Sequence, residues 1–128
     1  MVWYLDTSAF LKLITMEDES PAMRRWFSSH ESVWSSQLLH IEALRVGARL
    51  GIDVGVIEDA LETISLVLPS VATFFVAGQL SPPSLRSLDA LHLATAMEIG
   101  DDLEGIVAYE GRLSDAARAA SLEVFTPR

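Results

Sequence analysis

Short apolar runs alternate with longer stretches of helical periodicity along this chain of 128 residues. Val2-Trp3-Tyr4-Leu5 is a continuous apolar run and predicts a short buried strand. Asp6, Thr7 and Ser8 offer side-chain oxygens for a helix start, and residues 8–15 carry Phe10, Leu11, Leu13 and Ile14. Pro21 is placed as the first residue of a second helix bearing Met23, Trp26 and Phe27. Val33-Trp34 is a second strand candidate. Residues 37–50 form a strong helical pattern, with Gly51 suited to cap its end. Residues 54–67 repeat that pattern through Val56, Ile57, Leu61 and Ile64, and Leu66-Val67-Leu68 is a brief strand candidate before Pro69. Residues 70–78 predict a helix, and Ser81-Pro82-Pro83-Ser84 a loop. Ser87 is the expected cap of a helix over 88–99 that Gly100 ends. Ile106 to Tyr109 predicts a strand, 112–120 a helix and 123–125 a last strand.

Strands alternating with helices predict an α/β fold, with a central parallel sheet covered on both faces. No repeat or linker divides the chain, so residues 1–128 are expected to form one domain. In open sheets of this kind the ligand crevice lies beyond the carboxyl ends of the strands. Asp6 and Glu110 fall at such ends, and Asp89 falls in the first turn of a helix that can face the same crevice. Glu42 sits within Leu38-Leu39-His40-Ile41-Glu42-Ala43-Leu44.

Each acid has a plain structural explanation. Asp6 can cap a helix. Asp89 can complement a helix dipole. Glu42 can pair with Arg45 one turn on, and Glu110 can serve a turn before Gly111. His92 is expected to be a satisfied, buried histidine rather than a ligand. Trp3, Trp26 and Trp34 are expected in the core or an interface. Acids from distant parts of a chain that converge on one site, however, repel one another unless a proton or cation sits among them. Such convergence is the chemistry of a Mg²⁺ or Mn²⁺ site acting on phosphate esters.

Composition narrows the classes further. Half the residues are apolar, which argues for a packed core. Cysteine is absent, so thiolate chemistry, thiolate zinc sites and disulfides are excluded. Nothing resembles a secretory leader or a membrane span, and the expected location is the cytoplasm. The net charge of −9 disfavours broad nucleic-acid binding and fits equally well with a basic protein partner. Lys12 is the single lysine, beside eight arginines, whose forked guanidinium suits phosphate recognition.

Four stretches together resemble one family. Leu5-Asp6-Thr7-Ser8-Ala9 followed by Leu11-Lys12-Leu13 is similar to the opening motif of PIN domains, and Ile41-Glu42-Ala43-Leu44-Arg45 to their second acidic motif. Residues 85–96, centred on Leu88-Asp89-Ala90-Leu91-His92, resemble the third and are the most specific. Val107-Ala108-Tyr109-Glu110-Gly111-Arg112-Leu113 resembles the fourth, with Glu110 where the family usually has Asp and Ala108 where Thr is common. The length resembles that of VapC-type toxins of toxin–antitoxin pairs.

The resemblance implies a three-layer α/β/α sandwich and a Mg²⁺- or Mn²⁺-dependent endoribonuclease acting on tRNA or rRNA. It also implies a homodimer inhibited by a cognate antitoxin, whose segment would lie against Phe10, Leu11, Ile14, Met23, Trp26 and Phe27. Asp6 and Asp89 would be the main metal ligands, Glu42 and Glu110 would complete the shell, and Ser8 would orient Asp6 or a bound water. Products would carry a 3′-hydroxyl and a 5′-phosphate. One alternative keeps the acidic pocket only as a partner-binding module, its fourth acid altered. A receiver or aspartyl-phosphatase reading fits less well. Lys12 lies on the first helix, and Ser8 stands where a phosphatase has its second acid.

Overall fold

A computed structural model describes residues 1–128. The elements run β1 (Val2–Leu5), α1 (Thr7–Ile14), α2 (Ser20–Ser28), β2 (Val33–Ser36), α3 (Leu38–Leu50), α4 (Val54–Glu62) and β3 (Ser65–Val67). They continue with α5 (Val71–Gly78), α6 (Ser87–Glu98), a 3-10 turn (Gly100–Asp102), β4 (Leu103–Val107), α7 (Gly111–Ala119) and β5 (Val124–Phe125). The strands form one parallel sheet in the order β3-β2-β1-β4-β5.

Alternation along the central strands separates two cores. Leu5 and Val107 pack with Phe10, Met23, Trp26, Leu39, Ala43 and Ile57 from the first four helices. Tyr4 and Ile106 face the other way, onto Leu93 and Ala96 of α6 and Leu113 and Ala117 of α7. The three layers are therefore helices, sheet and helices. Trp3 lies opposite Gly105 in the β1–β4 register. A Cβ on Gly105 would stand 2.7 Å from the Trp3 ring and 2.9 Å from the Glu123 carbonyl oxygen, so only glycine lets these strands close. Gly51 ends α3 in the left-handed conformation, φ 71°, and its amide bonds back to Gly47.

Three sequence expectations shift. α4 stops at Glu62 because Thr63 and Ile64 turn their amides to Ala60 and Leu61, freeing Ser65–Val67 to pair with Trp34–Ser36. Ile64 is buried in that turn, and Leu68 lies outside the strand. Arg86, not Ser87, occupies the cap position of α6. Its extended backbone presents its carbonyl to Ala90, while no side chain caps the helix. β4 begins at Leu103 and ends at Val107, because the Tyr109 amide leaves the ladder to bond Ser8. No helix is long and apolar enough to cross a membrane.

Candidate active site

β1 leads into α1 on one face of the sheet and β4 leads into α7 on the other, so a crevice opens between their carboxyl ends. Asp6 is the first residue beyond β1, and its amide donates to Val107 O at the end of β4 (3.2 Å). Its Oδ1 accepts from the Ala9 amide at 2.9 Å and caps α1 as its sequence position predicts. Ser8 Oγ lies 2.7 and 2.9 Å from the two carboxylate oxygens and accepts from the Tyr109 amide at 2.9 Å. Ser8 thus fixes Asp6 and ties it to the β4 end. Asp6 is only 3% exposed, and burial pushes its carboxyl up to about 6. Ser8, the Ala9 amide and His92 oppose that shift, while the charge of Asp89 adds to it.

Glu42 does not pair with Arg45. Its Oε1 instead lies 2.7 Å from His92 Nε2 and accepts from Thr7 Oγ1 at 2.9 Å. His92, on α6, is buried, and its Nδ1 meets the Tyr4 hydroxyl at 2.7 Å. Burial raises the Tyr4 phenol further above its ordinary value, so the hydroxyl is neutral. Tyr4, His92, Glu42 and Thr7 thus form a relay from the sheet's interior to the crevice. His92 is satisfied, as its sequence predicts. Its partner Glu42, fifty residues away, gave no local signal. Tyr4 and Thr7 had only weak signals, a hydroxyl inside an apolar run and a polar neighbour to Asp6.

Asp89 is half-buried in the first turn of α6. Burial raises its carboxyl first, then the charges of Glu110 and Glu42, against His92 and Arg86. Glu110 accepts from the Leu113 amide through Oε2 at 2.7 Å and so caps α7. The four acids and Ser8 therefore gather at one crevice, around His92 and Asp89. No protein group bonds either oxygen of Asp89, Oε2 of Glu42 or Oε1 of Glu110. No buried side-chain oxygen or nitrogen lacks a partner, so those free oxygens are open to solvent. As folded, no three of the His, Asp and Glu side chains stand close enough to share one metal ion. The donor set still suits a hard divalent cation: oxygen ligands, mutually repelling and partly desolvated.

The surface expected to receive a partner is altered by burial. Phe10, Met23 and Trp26 belong to the core and cannot contact another chain, whereas Leu11, Ile14 and Phe27 remain partly exposed. A second surface takes their place in interest. From Thr63 to Leu85 the chain carries no charged residue. Within it, α5 buries only Thr73, while Val71, Phe74 and Phe75 are 88, 59 and 68% exposed. Leu68, three residues before Val71 in the chain, is also exposed.

Comparison with known proteins places this architecture. The PIN domain family matches residues 3–119. The chain belongs to the PIN-domain family. It is 37% identical to Ribonuclease VapC46 of Mycobacterium tuberculosis (strain ATCC 25618 / H37Rv), over 97% of this chain and 96% of that protein. Ribonuclease VapC47 (strain CDC 1551 / Oshkosh) is 34% identical and Ribonuclease VapC35 of the same strain 36%, each over 97% of this chain and 96% of the relative. Within PIN domains the chain thus joins the VapC ribonucleases. The crystal structure of Mycobacterium tuberculosis VapC20, a sarcin-ricin-loop-cleaving toxin, superposes with a TM-score of 0.76 at 16% identity. It covers 94% of this chain and 96% of that one, and shares the fold.

Proposed function

We propose that this VapC-type PIN domain is a metal-dependent endoribonuclease toxin that cuts tRNA or rRNA in the cytoplasm and is blocked by a cognate antitoxin. One observation carries the catalytic part: Asp6, buried and pushed up to about 6, shares a crevice with three further carboxylates whose free oxygens face solvent. Mg²⁺ or Mn²⁺ would be held by Asp6 and Asp89, with Glu42 and Glu110 completing the shell directly or through water. Bound there, the cation would supply charge neutralisation and a more acidic water at the phosphodiester. The chain's own residues do the positioning. Ser8 Oγ and the Ala9 amide hold Asp6 in one rotamer. His92 Nε2 and Thr7 Oγ1 hold Glu42 Oε1, leaving Oε2 without a protein partner. The Leu113 amide fixes Glu110 Oε2 and leaves Oε1 free. Hydrolysis in line with the 3′-oxygen leaves a 3′-hydroxyl and a 5′-phosphate.

The acidic surface, with net charge −9, favours a basic antitoxin by steering and complementarity. Leu11, Ile14 and Phe27 give it an apolar foothold beside the crevice. The charge-free α5 face supports a homodimer: two copies that repel elsewhere can meet there without opposing like charges. The capping bond of Glu110 favours a second reading, in which the pocket only binds a basic partner.

Sequencing of RNA ends after induced expression separates the two. The wild-type chain is expected to generate new 5′-phosphate ends that the Asp6→Ala variant does not. Persistence of the cuts with Asp6→Ala would remove the assigned site. Absence of cuts with both proteins would leave the binding module.

A further inference from the structure

The chain has 18 acidic residues against nine cationic ones. Lys12 bonds Glu17 and Glu19, and Arg118 pairs with Asp115. Arg118 is the one arginine in an ion pair, and Arg45 and Arg49 are among the seven that make none; what sets these two apart is the groove they share. The natural partner of Arg45 is Glu42, one turn before it on α3, yet no ion pair joins them, and Glu42 Oε1 is taken by His92 and Thr7. Arg45 and Arg49 are themselves four apart, a like-charge spacing that disfavours the helix.

Both arginines line a groove of about 290 Å³, whose other walls are Ile41, Glu42, Val46 and Leu88. Ile41 and Leu88 are 59 and 48% exposed. The groove adjoins the acid site through Glu42, which is part of its wall, and its Leu88 directly precedes Asp89 in the chain. Its chemistry is that of a strand of nucleic acid: forked cations for phosphates and apolar surface for an unstacked base. Four residues of helix place the two guanidinium stems about 6 Å apart along the axis, close to the step between neighbouring phosphates of an extended strand.

We propose that Arg45 and Arg49 form a substrate subsite that grips two successive phosphates of single-stranded RNA beside the cut, with a base lying on Ile41 and Leu88. The proposal rests on the ribonuclease reading and names where that substrate is held. It also explains how so acidic a protein approaches RNA. The repulsion of the general surface is answered locally, by cations left free next to the carboxylates.

The test uses an Asp6→Asn background to suppress cutting and a labelled 12-nucleotide single-stranded RNA of random sequence, with Mg²⁺, across a salt series. Arg45→Gln with Arg49→Gln is expected to weaken binding at least tenfold. Loss of two phosphate contacts should also lower the slope of log affinity against log salt by about 1.4. Arg45→Lys with Arg49→Lys should keep most of the slope. Arg118→Gln with Arg128→Gln, which removes the same charge elsewhere, should change neither quantity. Equal losses in the two glutamine pairs would reduce the effect to net charge and overturn the subsite, as would an unchanged slope. A change of oligomeric state on gel filtration confined to Arg45→Gln with Arg49→Gln would assign the groove to a protein interface and overturn it too. Cleavage of total cellular RNA is measured in parallel with Asp6 intact. If the wild type leaves that RNA whole, the ribonuclease reading fails. If the Arg45→Gln, Arg49→Gln variant cuts as well as the wild type, only the subsite fails.

Discussion

The acid crevice and the α5 face break the same rule in opposite directions. At the crevice, charged groups are drawn inward: Asp6 is nearly fully buried, and Asp89 is half so. On α5, phenylalanines are pushed outward, and the one fully buried side chain is a threonine. Hydrophobic burial alone would produce the reverse of both. Polar groups at the crevice are bonded to Ser8, Thr7, His92 and backbone amides, so the fold holds them in place. The apolar groups on α5 have no covering layer. The two regions therefore differ in what they offer, held carboxylates in one case and uncovered aromatic rings in the other.

That contrast can be broken by substitution. The largest effect is expected for Asp89→Asn, which should lower RNA cleavage about a thousandfold while the thermal midpoint stays within a few degrees. Cleavage rates near wild type would take Asp89 out of the site. Next, Phe74→Asp with Phe75→Asp should raise the dimer dissociation constant about a hundredfold or more, measured by light scattering after gel filtration. The circular dichroism spectrum should hold, because neither ring is in the core. A dimer that persists would exclude α5 as its interface.

His92→Gln sharpens the role of the relay. Losing the imidazole that orients Glu42 should weaken metal binding, followed by titration calorimetry, about 10–100-fold. A loss of stability with unchanged metal affinity would make His92 purely structural.

Asp6→Asn tests what the crevice costs the fold. The amide keeps the capping acceptor for Ala9 and removes a charge the interior resists. The folded carboxyl, at about 6, titrates above its ordinary value of 3.8. Its contribution to stability is therefore fully present below pH 4 and lost as pH rises through 6. Relative to wild type in the absence of metal, Asp6→Asn should gain about 2–3 kcal/mol at pH 7.5 and almost nothing at pH 4. Chemical denaturation at the two pH values checks this, and a gain of equal size at both would refute the electrostatic cause. The smallest effect is expected for Glu110→Asp. The shorter acid still caps α7, and cleavage should change by no more than about tenfold.

Much of this molecule was legible in local pattern. The run Val2–Leu5, the cap at Asp6, the helix ending at Gly51 and the loop at Ser81 to Ser84 all follow from propensities that act over a few residues. The crevice followed too, because acids at strand ends in a parallel sheet share one rim. Other features were set by pairing. Ile64 continues a helical period, but pairing of the next three residues with β2 ends α4 before it. Phe10, Met23 and Trp26 make an amphipathic face that looks ready for a partner, yet the sheet already covers it. Glu42 and Arg45 have the spacing of an ion pair, but the carboxylate instead meets the buried imidazole of His92 at 2.7 Å. The exposed rings of α5 show the converse, since apolar composition alone predicts burial.

The sequence by itself determined the alternation of strands and helices, the parallel sheet it implies, and the four acids with Ser8. Those depend on periodicity, backbone preference and the order of elements. Only the tertiary structure decided which carboxylate is buried and held by what, which arginines share a groove, and which apolar face stays uncovered. Burial, charge and hydrogen bonding at these places depend on groups distant in sequence, as Tyr4, Glu42 and His92 are, and their energies exist only once the chain has brought those groups together.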